Sequence, residues 1–127
     1  MTKTRSYLKE RLQKSQGREN KSVCATAVAS YFGAANEVRY LHTIQDIIGA
    51  VRKAGYTVRS RKSSVKKDIS VGGLRLLAQQ GKLEFGKYII RVDGHALVMN
   101  QEGTTVVDTD PRKRDRRKIT HLYKVGF

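Results

Sequence analysis

The chain has 127 residues, of which 26 are lysine or arginine and 11 are aspartate or glutamate, so that its formal net charge at pH 7 is +15. This length predicts one domain whose core needs neither disulfides nor metals, and this charge favours acidic partners. No apolar run approaches the ~20 residues of a membrane span, and the basic start of the chain lacks the apolar stretch of a signal peptide. A lone cysteine excludes an internal disulfide and offers no metal-ligand spacing, so we expect a cytoplasmic protein without metal or cofactor.

The first third of the chain is predicted to hold an extension and a central helix. Residues 1–20 form the basic N-terminal extension, with a short surface helix over 6–14 and a break over 16–20. Ser22 as N-cap and Gly33 as C-terminal stop delimit the next helix. Because this helix consists almost entirely of small and apolar residues, we expect it at the buried centre of the fold.

The middle of the chain predicts two helices separated by a strand. The first begins near Thr43 and ends at Gly55, a strand follows over 56–60, and the polar stretch 59–67 is a loop or an exposed edge. The second helix spans 70–80. The residues expected to face the core are Ile44, Ile47, Ile48 and Val51 in the first helix and Leu74, Leu76 and Leu77 in the second.

The last third of the chain predicts strands over 88–99, 104–109 and 119–125. A chain in which most helices precede most strands is typical of an α+β domain rather than of alternating βαβ units. We therefore expect a single domain over 1–127, in which N-terminal helices, including a central helix that carries the cysteine, pack on a C-terminal antiparallel sheet.

Cys24 falls in the first turn of the predicted central helix. Unpaired backbone amides and the positive end of the helix dipole stabilise a thiolate at that position, which favours a nucleophile. The alternative is a small core side chain, because free cysteines are among the most buried residues.

His95 begins an apolar strand segment, where an imidazole has no obvious packing role. A hairpin turn over 100–103 that pairs its two end residues places Asp108 opposite His95, about 5 Å away between Cβ atoms. An aspartate at that distance orients the ring so that its second nitrogen can accept a thiol proton. Asp110, two residues further along the same face, is the rival partner, and a purely structural histidine and aspartate pair is the alternative reading.

The segments 94–99 and 106–111 resemble the histidine-to-aspartate hairpin of papain-like cysteine peptidases, especially the small bacteriocin-processing type and relatives encoded by bacteriophages. The resemblance implies that Cys24 is the nucleophile, His95 the general base and Asp108 the orienting acid. It further implies cleavage of a peptide or isopeptide bond, in the host cytoplasm or the virion if the chain is encoded by a phage.

Two departures from that family concern the oxyanion hole. Members usually carry a glutamine about six residues before the cysteine, where this chain has Arg18, and a glycine after it, where this chain has Ala25. Gln16 and Asn20 are the nearest substitutes. Loss of one oxyanion donor costs about 10²–10³ in turnover, so a catalytically silent papain-like domain that acts as a basic binding or virion-associated protein is the second hypothesis.

Two basic clusters account for much of the charge, and each is able to contact several phosphates. They consist of Arg52, Lys53, Arg59, Arg61, Lys62, Lys66 and Lys67, and of Arg112, Lys113, Arg114, Arg116, Arg117 and Lys118. The partner is thus expected to be nucleic acid or an acidic protein, without sequence-specific reading, and a solvated face that only maintains solubility is the alternative. A plain nucleic-acid-binding protein is the third hypothesis.

Overall fold

A computed structural model describes residues 16–34, 43–110, 112 and 115–126, with backbone alone for 16–22. The described residues form three α-helices, one 3-10 helix and five strands. In chain order they are α1 (Gln16–Tyr31), α2 (Ile44–Lys53), β1 (Thr57–Ser60), the 3-10 helix (Lys62–Ser64), α3 (Val71–Gln79), β2 (Lys87–Val92), β3 (His95–Asn100), β4 (Thr105–Val107) and β5 (Ile119–Gly126). The predicted surface helix over 6–14 lies outside the described residues.

The five strands form one antiparallel sheet in the order β1-β5-β2-β3-β4. Alternate side chains of a strand face opposite sides of a sheet, and both sides are apolar here. Ile89 and Val98 pack with α1 and α2 on one side, whereas Ile90 and Met99 pack with α3 on the other. The α+β class is therefore confirmed, with helices on both faces of the sheet.

The helix α1 differs from the prediction in its start and in its burial. It begins at Gln16 instead of Ser22, so the predicted break over 16–20 is wrong. Val28 and Ala29 are buried against the sheet, whereas Val23 is 53 % exposed on the outer face. The central layer of the fold is instead the sheet, whose strands β2 and β3 bury consecutive residues and therefore both of their faces.

The other two helices follow the prediction closely at their ends. Thr43 caps α2 by accepting a hydrogen bond from the backbone amide of Asp46, whose side chain bonds back to the amide of Thr43. Gly55 then ends the helix with a φ of 103°. Ser70 caps α3 in the same manner, accepting from Gly73 at 3.0 Å. No helix among the described residues is long and apolar enough to cross a membrane.

The strand predicted over 88–99 is in fact two strands. Asp93 and Gly94 form a tight turn between β2 and β3, and Gly94 adopts a φ of 74° that side-chain-bearing residues rarely take. The turn pairs Val92 with His95. His95 therefore stands at the very end of the sheet.

Candidate active site

His95 and Asp108 are in direct contact at this end of the sheet. Asp108 Oδ1 lies 2.6 Å from His95 Nε2, and it also accepts a hydrogen bond of 2.9 Å from the backbone amide of Asp110. That second bond holds the carboxylate in place toward the imidazole. The predicted contact between His95 and Asp108 is therefore present.

The register from which that contact was predicted is wrong. Asn100 pairs across the turn with Thr104 and not, as predicted, with Gly103, because the amide of Asn100 donates to the carbonyl of Thr104 at 2.9 Å. Met99 pairs with Thr105 and Val98 with Val107, so the ladder is offset by one residue and then, after a bulge, by two. Strand β4 ends at Val107, and the turn that follows brings the Asp108 side chain back to His95.

Cys24 approaches His95 from α1. The two side chains are hydrogen-bonded, and this bond is the largest cause that raises the pKa of His95 above its ordinary 6.5; burial opposes the rise, and the Asp108 carboxylate adds to it. Because Asp108 occupies Nε2, the nitrogen left for the thiol is Nδ1. The three residues thus form one hydrogen-bonded chain from thiol to carboxylate.

The position of Cys24 within its helix was predicted wrongly. It is the ninth residue of a helix that begins at Gln16, whereas only the first four amides of a helix lack intrahelical partners. The helix dipole acts only within the terminal turn. Its stabilisation of a thiolate is therefore not available at Cys24, which lies in the core at 2 % exposure.

Asp110, the rival partner of His95, binds arginines instead. Its Oδ1 accepts the backbone amide and the Nε of Arg112, at 3.0 and 3.1 Å, and its Oδ2 lies 3.4 Å from a terminal nitrogen of Arg117. The backbone bond from Arg112 is the largest cause that lowers the pKa of Asp110. This carboxylate positions two cations beside His95.

Two pockets open at His95. The larger, with a volume of about 390 Å³, lies between the sheet end and α3 and is lined by Leu97 and Val71 as well as by polar groups. The smaller, of about 260 Å³, lies toward Val23 of α1. A chain passing across His95 from one pocket to the other would have room on both sides of the imidazole.

The proposed oxyanion donors lie in the part of α1 for which only the backbone is described. Asn20 is one helical turn before Cys24 and Gln16 two turns before it, so both positions share the helix face of the cysteine. Arg18 does not share that spacing. Positions 20 and 16 therefore lie nearer to the helix face of Cys24 than position 18, where papain-like peptidases usually have their glutamine.

Part of each basic cluster is engaged in local contacts, and the two approach each other where Lys118 pairs with Ser70. In the first, Arg61 lies 3.3 Å from Glu84 and Lys62 donates to the carbonyl of Lys67 at 2.8 Å. In the second, Arg117 is held at Asp110. Lys113 and Arg114 lie outside the described residues.

Arg75 organises this side of the protein, a role that no sequence pattern indicated. Its guanidinium donates to both carboxylate oxygens of Asp115, to the carbonyl of Gly103 at 2.6 Å and to the hydroxyl of Thr105 at 2.9 Å. It thereby joins α3 to the β3–β4 turn and to the loop before β5. An arginine on an amphipathic helix ordinarily faces solvent, so only the folded chain reveals this role.

Within the described ranges, no group of three or more histidine, cysteine or acidic side chains is arranged to hold a metal ion. No family model matches the chain, and neither a curated protein nor a solved structure matches it.

The raised pKa of His95 makes stability depend on pH. A group whose pKa is higher in the folded than in the unfolded protein stabilises the fold fully below its unfolded pKa, here about 6.5, and loses that contribution as pH rises through the folded pKa. We therefore expect the difference in unfolding free energy between the parent protein and His95→Gln to shrink from pH 5.5 to pH 8.5. Urea unfolding at four pH values measures it, and a difference that is constant with pH would contradict the ionised contact.

Proposed function

We propose that this chain is a thiol-dependent hydrolase of papain-like type that cleaves an amide bond of the peptide or isopeptide kind. The observation that carries the proposal is that His95 is hydrogen-bonded to both Cys24 and Asp108 and lines two pockets, with the Cys24 thiol buried behind the imidazole at 2 % exposure. A nucleophile, a base and a group that orients the base are the parts that acyl transfer by a thiol requires.

The first half of the proposed reaction forms an acyl-enzyme. The Cys24 thiol gives its proton to Nδ1 of His95 as the sulfur attacks the carbonyl carbon of the substrate. When the tetrahedral intermediate collapses, the carbon–nitrogen bond breaks and the imidazolium returns the proton to the leaving amine. The acyl group is then held on sulfur as a thioester, and Asp108 keeps Nε2 protonated throughout.

The second half releases the acyl group. His95 takes a proton from a water molecule that attacks the thioester carbonyl, and the sulfur leaves with that proton to restore the thiol. The oxyanion formed in both halves needs hydrogen-bond donors. Because the amide of Cys24 lies within the helical ladder, we assign this role to side chains on the same helix face, with Asn20 first and Gln16 second.

An unbiased digestion experiment tests the proposed function. Denatured and native bacterial proteomes are incubated with the parent protein or with Cys24→Ala, and new peptide termini are identified by mass spectrometry. We expect termini that appear only with the parent protein and that define a shared sequence context. Identical terminus lists from both proteins would contradict hydrolysis of peptide bonds, and ubiquitin-like isopeptide conjugates provide the second substrate arm.

A catalytically silent domain is the second candidate function. It is favoured by the burial of Cys24 and by its position away from the helix N-terminus. In that case the basic surface is the working part, and the chain binds nucleic acid or an acidic protein, as a virion-associated component if a phage encodes it. Reactivity of Cys24 separates the two candidates, and under either we propose a cytoplasmic setting because the lone thiol requires no oxidising compartment.

Salt dependence tests the binding surface independently of catalysis. The segments 52–67 and 112–118 hold thirteen lysines and arginines and a single acidic residue, Asp115. We expect retention on duplex DNA at low salt, with a log-log slope of about −0.9 per phosphate contacted. Charge reversal at Arg114, Arg116 and Arg117 should flatten that slope, whereas Cys24→Ala should not. A parent protein that fails to bind DNA, RNA or heparin would mean that the charge serves an acidic protein partner or solubility alone.

A further inference from the structure

The two pockets beside His95 have two arginines in common. Arg112 and Arg117 line both the larger and the smaller pocket, together with His95 and Asp110. A substrate chain that occupies either pocket therefore lies against this pair. Among the residues that the structure describes, no other lysine or arginine lines both pockets.

In the larger pocket, the acidic residues do not neutralise this pair. Asp108 is bonded to His95, and Asp115 is paired with Arg75 at 3.1 Å. Arg112 and Arg117 share the carboxylate of Asp110, and two guanidinium groups on one carboxylate leave an excess positive charge beside the imidazole. Asp93 adds a second carboxylate to the smaller pocket, so the excess lies in the larger one.

Of the two, Arg117 is also held by its backbone before any ligand binds, whereas Arg112 is positioned by Asp110. The carbonyl of Arg117 accepts a 2.9 Å hydrogen bond from the amide of Val71, at the first residue of α3. The amide of Gly72 donates to the carbonyl of Asp115 at 2.8 Å, and a Cβ at position 72 would stand 3.1 Å from the side chain of Asp115, so the loop packs closely on the helix. Preorganised charges lose little conformational freedom on binding a ligand.

We propose that Arg112 and Arg117 select substrates that carry a carboxylate next to the cleaved amide. This inference rests on the proposed function and names the substrate class of the same site. A guanidinium matches the planar geometry of a carboxylate and binds it through paired hydrogen bonds. The carboxylate belongs either to an acidic side chain or to the C-terminus of the substrate, and the chemistry of recognition is the same.

Peptide titrations on Cys24→Ala, which binds without cleaving, test the selection. The probes are a blocked alanine tetrapeptide with one glutamate, its glutamine twin, and an alanine tripeptide that ends in a free carboxylate or in an amide. NMR signals of the His95 ring report binding. At low salt we expect the favoured acid to bind roughly tenfold more tightly than its neutral twin, and the arm that shows the preference identifies the source of the carboxylate.

Two arginine variants complete the test. The triple variant that carries Cys24→Ala, Arg112→Gln and Arg117→Gln should lose the preference for the acidic probe. The control variant that carries Cys24→Ala and Arg116→Gln should keep the preference, because Arg116 is an exposed arginine outside both pockets. Equal binding of acid and neutral twins, or no binding of any probe at millimolar concentration, would overturn the inference.

A second measurement separates this inference from the proposed function. In the parent protein, Cys24 is alkylated in parallel with iodoacetate, an anion, and with neutral iodoacetamide. Loss of both arginines should lower the ratio of the iodoacetate rate to the iodoacetamide rate severalfold. If both alkylation rates are the same in His95→Ala as in the parent protein, the proposed function fails. If the rates fall in His95→Ala but the ratio is unchanged by loss of the two arginines, only the proposed substrate class is wrong.

Discussion

Iodoacetamide should alkylate Cys24 about 100-fold more slowly in His95→Ala than in the parent protein at pH 7. The expected factor is that of a positioned general base, because His95 is hydrogen-bonded to the thiol and accepts its proton. Mass spectrometry of the intact protein over time gives the rate directly, since Cys24 is the chain's single cysteine.

Two variants serve as controls for this result. His121→Ala removes a histidine whose Nδ1 bonds to Thr120 and whose ring stacks on Tyr123, so it should leave the rate unchanged. Asp108→Asn should give an intermediate rate, because it retains the side-chain shape and removes the charge that orients His95. An equal alkylation rate in the parent protein and in His95→Ala would show that the imidazole does not influence the reactivity of Cys24, which contradicts the proposed role of His95.

Leu74→Ala should lower the free energy of unfolding by about 2–5 kcal/mol, as is usual for truncation of a fully buried leucine. Leu74 is 0 % exposed and packs between α3 and the sheet. Urea denaturation monitored by circular dichroism measures the change.

Leu76→Ala is the matched control, since it removes the same atoms from the same helix. Leu76 is 55 % exposed, so we expect a change within about 0.5 kcal/mol. The sequence pattern predicted both leucines to face the core, and the structure contradicts this for Leu76. Similar losses for the two variants would mean that α3 is rotated from its described orientation or that another chain covers Leu76.

The sequence predicted best the features that depend on local chemistry. The capping box at Thr43 and the glycine at 55 define α2 through contacts within four residues, and Ser70 defines the start of α3 in the same manner. Such signals require no knowledge of the rest of the chain. The inner stripe of α2 was predicted for the same reason, since its large aliphatic residues recur at the helical spacing of positions 44, 47, 48 and 51.

The errors arose where tertiary contacts decide between local alternatives. Gly17 and Asn20 favour a break, yet α1 continues through them to Gln16. The turn at Asp93 and Gly94 was missed because the strands on both sides are apolar on both faces, which removes the alternation that marks a hairpin. The residue pattern of a single strand does not show that helices cover both faces of the sheet to which the strand belongs.

The contact between His95 and Asp108 was predicted from a strand register that is wrong. The contact of His95 with Asp108 exists although the ladder register and the helix start are both shifted, because the turn after β4 returns the carboxylate to the imidazole. The pairing of Arg75 with Asp115, forty residues apart in the chain, had no local signature. Long-range polar pairs of this kind form only when the backbone is already in place.

Turnover of p-nitrophenyl acetate, followed together with the mass of the protein, tests the hydrolase proposal most directly. The proposal predicts that an acetyl group appears on Cys24 and is then lost, so that p-nitrophenol release continues beyond one equivalent. In His95→Ala and in Cys24→Ala, release should fall to the rate without protein. Release that is equal in the parent and in Cys24→Ala, or an acetyl group that forms on Cys24 and is never hydrolysed, would contradict it.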